Sequence, residues 1–341
     1  MNIRKVGIIG EGKMGTGIFN YLLDYGFTIY WIGSQEADTA KMEKSFRKKI
    51  DRARENGILD ETSHQRLIAE TYISGDLNDL MTCDLVIEAI PEVLDLKRSL
   101  FLKLNALVLP SCILASNSSS INPSNMLPSP SRNTTFVGLH FFYPVPLKNI
   151  VELVVTDLTS DATILTLQQF LEEIRKRYLL LNEKNSFLLN KLFLDFQNEA
   201  FRIVNDGHIS MEMMDNLVRV HFFPIGVFEF FDNVGNDTML EAIVNYTKDY
   251  PHKDYYFPLI HRLESMVKEG KLGLKSRSGF YDYSVPKSEA SSSDFPASVI
   301  EHLRFSYITS AKRFTAQSHL PIDDMNFAIK EYFGIEKGPF E

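Results

Sequence analysis

Cysteine is scarce in this chain: two residues in 341, Cys83 and Cys112, both inside apolar runs and neither at metal-ligand spacing. That excludes a disulfide scaffold and a zinc site, and it suits a reducing compartment. No apolar run approaches the roughly 18 residues needed to cross a bilayer. The first residues also run directly into a strand pattern, which leaves no room for a signal peptide. A cytoplasmic protein with no membrane and no metal is the expectation. Positive charge is in deficit as well, with 36 Lys and Arg against 44 Asp and Glu and a net charge of -8. Such a balance argues against nucleic acid as a partner of the whole surface. What the chain has in quantity is apolar: 44% hydrophobic residues against 23% charged, enough for two ordinary cores.

Short apolar runs alternate with segments of helical period through the first half, the pattern of βαβ units. Strands are predicted at Lys5 to Ile9, Thr28 to Ile32, Tyr72 to Ser74, Leu85 to Ala89, Ile113 to Ser116 and Phe136 to Phe142. Two more follow at Asn149 to Val155 and Tyr178 to Leu181, and helices are predicted at Met14 to Tyr25 and Ala37 to Asn56. Beyond residue 184 the period is almost purely helical. The expected fold class is α/β: a Rossmann-type doubly wound, mostly parallel sheet over 1–184, then an all-α domain over 185–284. The segment 285–299 reads as a linker. Residues 300–341 read as a partial repeat of the helical domain. Asp215 to Glu229 and Asn326 to Glu341 share apolar positions and a Gly-x-Phe-Glu ending, offset by 111 or 112 residues. Each copy follows a helix with an Ala-x-Arg step, Ala200 to Arg202 and Ala311 to Arg313.

Gly10-Glu11-Gly12-Lys13-Met14-Gly15 stands between the first strand and the first helix, the context that gives a GxGxxG pattern its meaning. Gly10 permits the tight turn, Gly12 admits a pyrophosphate to the backbone, and Gly15 lets helix and strand pack closely. Lys13 and Met14 open a helix whose N–H groups face the anion. A nicotinamide dinucleotide is therefore the expected cofactor. The acid that usually ends the second strand and bonds the adenosine ribose is absent. Gly33-Ser34-Gln35 occupies the place, so Ser34 is the candidate for a ribose hydroxyl or a 2′-phosphate. No Arg lies nearby and the next base is Lys41, which favours NAD and leaves NADP open.

His140 and Glu152 are equidistant from Pro146. If the flanking strands fold back about Pro144-Val145-Pro146, the two side chains oppose each other across an antiparallel pair. An imidazole oriented by a carboxylate is the usual base for an alcohol that must lose its proton as hydride departs.

Four motifs, GEGKMGTGI, DLVIEAIPE, LASNSSSI, and GLHFFYPVP with IVELV, give the chain over residues 3 to 283 its resemblance to the short-chain L-3-hydroxyacyl-CoA dehydrogenases, 3-hydroxybutyryl-CoA dehydrogenases included. The resemblance implies interconversion of a 3-hydroxyacyl thioester and its 3-oxo form with a nicotinamide. It assigns the catalytic dyad to His140 and Glu152, the substrate hydroxyl to Ser119, and acyl positioning to Asn190. It places Glu92, Lys97 and Tyr143 near the nicotinamide half and gives Lys275 a closing role from the helical domain. Glu88 reads as an interior acid at a strand end, with no role assigned. The stretch from 41 to 54 holds seven basic and two acidic residues and falls where the family grips the adenosine 3′-phosphate of CoA. Ser45, Lys48 and Arg52 share one face of it.

Several positions depart from the family. Tyr143 replaces an asparagine, Asn185-Ser186 replaces Pro-Gly, Val227 replaces a proline, and Gly33 stands near the missing acid. They leave two alternatives beside an acyl-CoA substrate: an acyl-carrier-protein thioester, as in extender-unit biosynthesis for polyketides, or a catalytically weak binding protein on the same fold. A β-hydroxyacid dehydrogenase acting on free acids is disfavoured by the His–carboxylate arrangement. A homodimer is expected, or a monomer whose second helical repeat stands in for the partner.

Overall fold

Among the described residues, alternation of β-branched and aromatic strands with amphipathic helices produces eight strands, all in one sheet. The computed structural model describes residues 2–34, 39–248, 250, 252–285 and 295–341. The strands are β1 (Lys5–Ile9), β2 (Thr28–Ile32), β3 (Thr71–Ser74), β4 (Leu85–Glu88), β5 (Ile113–Ser116), β6 (Phe136–Phe141), β7 (Ile150–Val155) and β8 (Arg177–Asn182). Their order is β3-β2-β1-β4-β5-β6-β7-β8. Only β6 and β7 run antiparallel. Six helices accompany them: α1 (Lys13–Leu22), α2 (Thr39–Glu55), α3 (Glu61–Glu70), α4 (Leu94–Leu107), α5 (Pro123–Met126) and α6 (Asp161–Glu173). Strand order reverses between β1 and β4, which opens the crevice where open α/β sheets bind ligands.

β4, β5 and β6 are buried at every position, the signature of strands covered on both faces. One apolar layer gathers Val6, Ile8, Phe19, Ile29 and Trp31, and the other gathers Ile9, Val86, Phe101, Leu104 and Phe136. Three predicted strands, those at 5–9, 28–32 and 113–116, coincide with the observed ones, and the other five differ by one residue at one end or both. The predicted helix to Tyr25 closes at Leu22 and continues as a 3₁₀ turn over Leu23–Tyr25, which stops at Gly26 in the left-handed region. The Ala37 start of the second helix lies outside the described residues; the helix is seen from Thr39.

Two compact units make up the chain, Met1–Ser186 and Phe187–Glu341. The second is helical: α7 (Leu188–Asn205), α8 (Met211–His221), α9 (Val227–Val234), α10 (Asn236–Thr247), α11 (Phe257–Lys268), α12 (Ala297–Ser318) and α13 (Ile322–Phe333). Thirteen of the 18 residues of α7 are buried, so it is a central helix rather than an amphipathic surface one. Residues 300–341 do not form a body of their own. Phe333 of α13 stacks on Phe223 with centroids 4.1 Å apart, and Tyr307 of α12 meets the same ring at 5.5 Å. Most of the predicted linker, 286–294, lies outside the described residues, and its last residues already belong to α12.

The two resembling segments also resemble each other in their bonds. Asp215 in α8 accepts the N–H groups of Phe228 and Glu229 at 2.9 and 3.0 Å and so caps α9. Asn326 in α13 accepts the N–H of Phe340 at 3.2 Å. A side chain on Gly226 would collide with Asp215, and one on Gly338 would collide with Asn326. A residue 11 or 12 positions ahead of a glycine thus receives the turn that the glycine permits, in both segments.

The departures at the end of the first unit have local explanations. The Ser186 hydroxyl donates to Asn122 Oδ1 at 2.7 Å and lies within 2.8 Å of the Glu183 carbonyl. The left-handed residue that starts the helical unit is Phe187, at φ 56°.

Candidate active site

Strand ends build one edge of the first unit. β1 runs into the glycine loop, and α1 opens at Lys13. Gly10 has φ +120°, and a Cβ there would lie 2.5 Å from the carbonyl oxygen of Ala89. A Cβ on Gly15 would meet the oxygen of Gly10 at 2.1 Å. The fold itself requires both. Nothing lies within 4 Å of the Cβ that Gly12 lacks, so its bareness serves a group approaching from outside, as a pyrophosphate does at a helix N-terminus. The loop fits a dinucleotide. Lys13 is exposed and Met14 half-buried. Trp31 in β2 donates its indole N–H to the Gly10 carbonyl at 2.9 Å and stacks on Phe19, with centroids 4.2 Å apart. Ser34, just past β2, is exposed and bonded to Glu11 of the same loop.

Behind the β4 and β5 ends lies a buried charge network that sequence reasoning missed. Glu88 is fully buried and Lys97 is 1% exposed. The Lys97 ammonium donates to Glu88 Oε1 at 2.6 Å and to the Ile90 carbonyl at 3.3 Å, and it pairs with Glu92 Oε2 at 3.2 Å. Glu88 also accepts the Ser116 hydroxyl at 2.6 Å and the Ile90 N–H at 2.8 Å. Lys97 is therefore an interior counter-ion of two carboxylates rather than an exposed cation. Two acids and a lysine spaced four and five positions apart, inside an apolar stretch, were the available signal.

Glu92 carries the network to the serine turn. Its Oε1 accepts the Ser118 hydroxyl at 2.5 Å, the N–H groups of Ser119 and Ser120 at 3.0 and 2.8 Å, and the Ser120 hydroxyl at 2.9 Å. Burial works against its charge, but Lys97 and the serine donors outweigh that and hold the carboxyl below the usual range. The backbone of half-buried Ser119 is thereby fixed by a carboxylate from the loop that follows β4. Asn117 ties the same turn to β6 by accepting the N–H of Phe141 at 2.9 Å.

His140 sits in β6 directly opposite Glu152 in β7. Its Nδ1 lies 2.9 Å from Glu152 Oε2; the imidazole is 5% exposed and the glutamate fully buried. A carboxylate on one ring nitrogen fixes the imidazole's orientation. Tyr143, three residues on, is 59% exposed.

On α2, Ser45, Lys48 and Arg52 are all exposed. An open groove of about 640 Å³ along that helix is lined by Lys44, Arg47, Lys48 and Arg52, with Glu43, Asp51 and others, but not by Ser45. Arg47 is engaged by Glu43 at 2.8 Å, Lys49 by Asn20 at 2.7 Å, and Arg54 by Glu61 at 3.3 Å. Among the described residues Lys44, Lys48 and Arg52 make no ion pair, and their spacing of four puts them in one stripe. Lys44 was visible in the same basic run.

The second unit holds Asn190 and Lys275. The amide nitrogen of Asn190 donates to the Tyr246 hydroxyl at 2.9 Å, and its oxygen accepts the Tyr332 hydroxyl at 2.8 Å. Lys275 is half-exposed and grips both oxygens of Asp237 at 2.5 and 2.6 Å. Cys83 and Cys112 are buried, and burial pushes both thiols up to about 12, which makes them inert. No described helix is long and apolar enough to cross a membrane. Among the described residues no three His, Cys, Asp or Glu side chains gather as a metal site.

A glycine-rich βα turn after the first strand of a doubly wound sheet is the mark of a dinucleotide-binding domain. Comparison with known proteins narrows the class. Residues 5–184 match the model of the 3-hydroxyacyl-CoA dehydrogenase NAD binding domain, and residues 187–283 match that of the 3-hydroxyacyl-CoA dehydrogenase C-terminal domain. The chain belongs to the 3-hydroxyacyl-CoA dehydrogenase family and uses NAD. It is 33% identical over 280 residues to a probable 3-hydroxybutyryl-CoA dehydrogenase of Deinococcus radiodurans, covering 82% of this chain and 100% of that one. It is 30% identical over 292 residues to the mitochondrial hydroxyacyl-coenzyme A dehydrogenase of Rattus norvegicus, covering 82% and 91%. The solved (S)-3-hydroxybutyryl-CoA dehydrogenase of Ralstonia eutropha superposes with a TM-score of 0.74 at 30% identity, over 83% of this chain and all of that one. A 3-hydroxybutyryl-CoA dehydrogenase structure from Escherichia coli reaches 0.81 at 19% identity and covers 99% of this chain and 90% of that one. The fold likeness in that case extends through the C-terminal tail.

Proposed function

We propose that the chain interconverts a 3-hydroxyacyl-CoA and its 3-oxoacyl-CoA, with His140 as the acid–base group. The 2.9 Å contact between His140 Nδ1 and Glu152 carries this reading. NAD, when bound, supplies the hydride acceptor. His140 takes the proton of the 3-hydroxyl, and buried Glu152 stabilises the imidazolium so formed. Ser119, its backbone held by Glu92, bonds the substrate oxygen. Glu92 borders the nicotinamide half, with Lys97 acting through it. Asn190 has the acyl-positioning role by its match to the family amide, and Tyr143 and Lys275 have their cofactor roles on the same ground.

The stripe of Lys44, Lys48 and Arg52 supports CoA as carrier, because three cations in an open groove that form no ion pair among the described residues suit a nucleotide phosphate. A carrier protein is the competing occupant. The tail's rings inside the helical core support a monomer in which the second segment covers the face that a partner subunit would occupy.

The test is one hydroxyacyl group assayed on both carriers, with His140→Gln alongside. The expected result is turnover on CoA that falls by about 10²–10⁴-fold in the variant, with NAD affinity retained. Equal turnover by wild type and variant would refute the base assignment, and a preference for the carrier protein would refute CoA.

A further inference from the structure

We infer that Glu11, held by Ser34, is the residue that selects NAD over NADP. The inference rests on the NAD-binding role of the first unit. β2 ends at Ile32 and is followed by Gly33-Ser34, with no acid where a dinucleotide fold usually places one. The structure supplies a carboxylate at that place from another part of the chain. Glu11 Oε2 accepts the Ser34 N–H at 3.1 Å, and Oε1 accepts the Ser34 hydroxyl at 3.0 Å.

Both ends of this contact are anchored. The Gly33 N–H donates to the Ser74 carbonyl at 3.0 Å, which fixes the turn after β2, and the Gly10 N–H donates to the Ile32 carbonyl at 2.9 Å. Trp31 holds the Gly10 carbonyl from the same side. Glu11 thus extends from a rigid point to a rigid receiver. Its two oxygens stand at the C-terminal end of β2, beside the exposed glycine loop.

The chemistry separates the two cofactors. A carboxylate accepts hydrogen bonds from the vicinal hydroxyls of a ribose. It repels a 2′-phosphate, which brings negative charge to the same spot. Lys13, two positions from Glu11, is the nearest base in sequence; none follows until Lys41, so the turn after β2 brings no cation of its own to a phosphate. Ser34 therefore acts as a positioning residue for Glu11, not as the ribose ligand itself. A serine alone could donate to a phosphate; a serine occupied by a carboxylate cannot.

The experiment is calorimetric titration of the full chain with NAD, NADP, ADP-ribose and 2′-phospho-ADP-ribose. Two variants accompany the wild type: Glu11→Gln, which keeps size and removes charge, and Glu11→Gly with Ser34→Asp, which moves the acid to the strand end. The wild type is expected to prefer the unphosphorylated member of each pair. Glu11→Gln is expected to shrink that preference by about tenfold or more, through weaker NAD binding and stronger NADP binding. The double variant is expected to regain it. An unchanged preference in Glu11→Gln would overturn the inference. Failure of the wild type to bind either NAD or ADP-ribose would overturn the dinucleotide role beneath it instead.

Discussion

Tyr332, in the last helix, donates its hydroxyl to the amide oxygen of Asn190, 142 positions earlier in the chain. Tyr246 takes the other end of the same amide. Two phenols therefore engage both ends of the amide, and one of them comes from the tail beyond the matched C-terminal domain. The ring next to it, Phe333, is buried in the aromatic core. If Asn190 positions the acyl group, Tyr332→Phe lowers kcat/KM by about fivefold, the loss expected for one neutral hydrogen bond. NAD affinity and melting temperature stay close to wild type. Steady-state kinetics beside a thermal melt checks this, and an unchanged kcat/KM would remove the tail from the site.

Lys97 and Glu88 are both inside the first unit and depend on each other. Removing one partner of a buried ion pair leaves the other charge uncompensated at a cost of about 3–5 kcal/mol. Lys97→Met is expected to destabilise the fold by that order in urea denaturation. Adding Glu88→Gln should recover a substantial part of the loss, because the stranded carboxylate is gone. Additive losses in the double variant would mean that the two charges do not act as a pair.

Asp215 gives a pH dependence whose sign can be worked out. Burial, against the help of the Phe228, Glu229 and Tyr281 donors, raises its carboxyl from 3.8 to about 6. Between those values the native state binds the proton that the unfolded chain has released. Stability from this group therefore falls as pH rises through the window, by about 2–3 kcal/mol at about 1.36 kcal/mol per unit. Asn326, at the equivalent place in the second segment, is the neutral counterpart. Asp215→Asn is expected to fold, and its stability relative to wild type should rise from about pH 4 to about pH 7. A flat difference across that range would show that Asp215 is not the source.

The basic stripe on α2 predicts a salt-sensitive substrate constant. Lys44→Ala, Lys48→Ala and Arg52→Ala together should raise KM for the CoA thioester several-fold at low salt and less at high salt, since exposed charges are screened within about 10 Å at about 0.1 M. The constant for a pantetheine thioester, which lacks the nucleotide phosphate, should not move. Equal effects on both substrates would place the stripe's role elsewhere.

The arrangement was legible in the sequence wherever contacts are local or follow from period and register. The glycine loop lies within six residues between a strand and a helix. The facing of His140 and Glu152 follows from symmetric spacing about a short turn, because an antiparallel pair has only one partner for each position. The basic run on α2 was equally plain, although sequence could not tell which of its cations are already paired.

Spacing carries no information about groups that meet only after the sheet closes. The chain's own order determined the α/β plan, the phosphate loop and the His–carboxylate pair, through hydrophobic period and strand register. Tertiary structure alone decided the rest. It turned Lys97 inward between Glu88 and Glu92, because a lysine that follows an apolar strand can face solvent or core until packing fixes its helix. It brought Tyr332 to Asn190 across more than a hundred residues. It also set Glu11 against Ser34, placing on the end of the second strand the carboxylate that the second strand itself lacks.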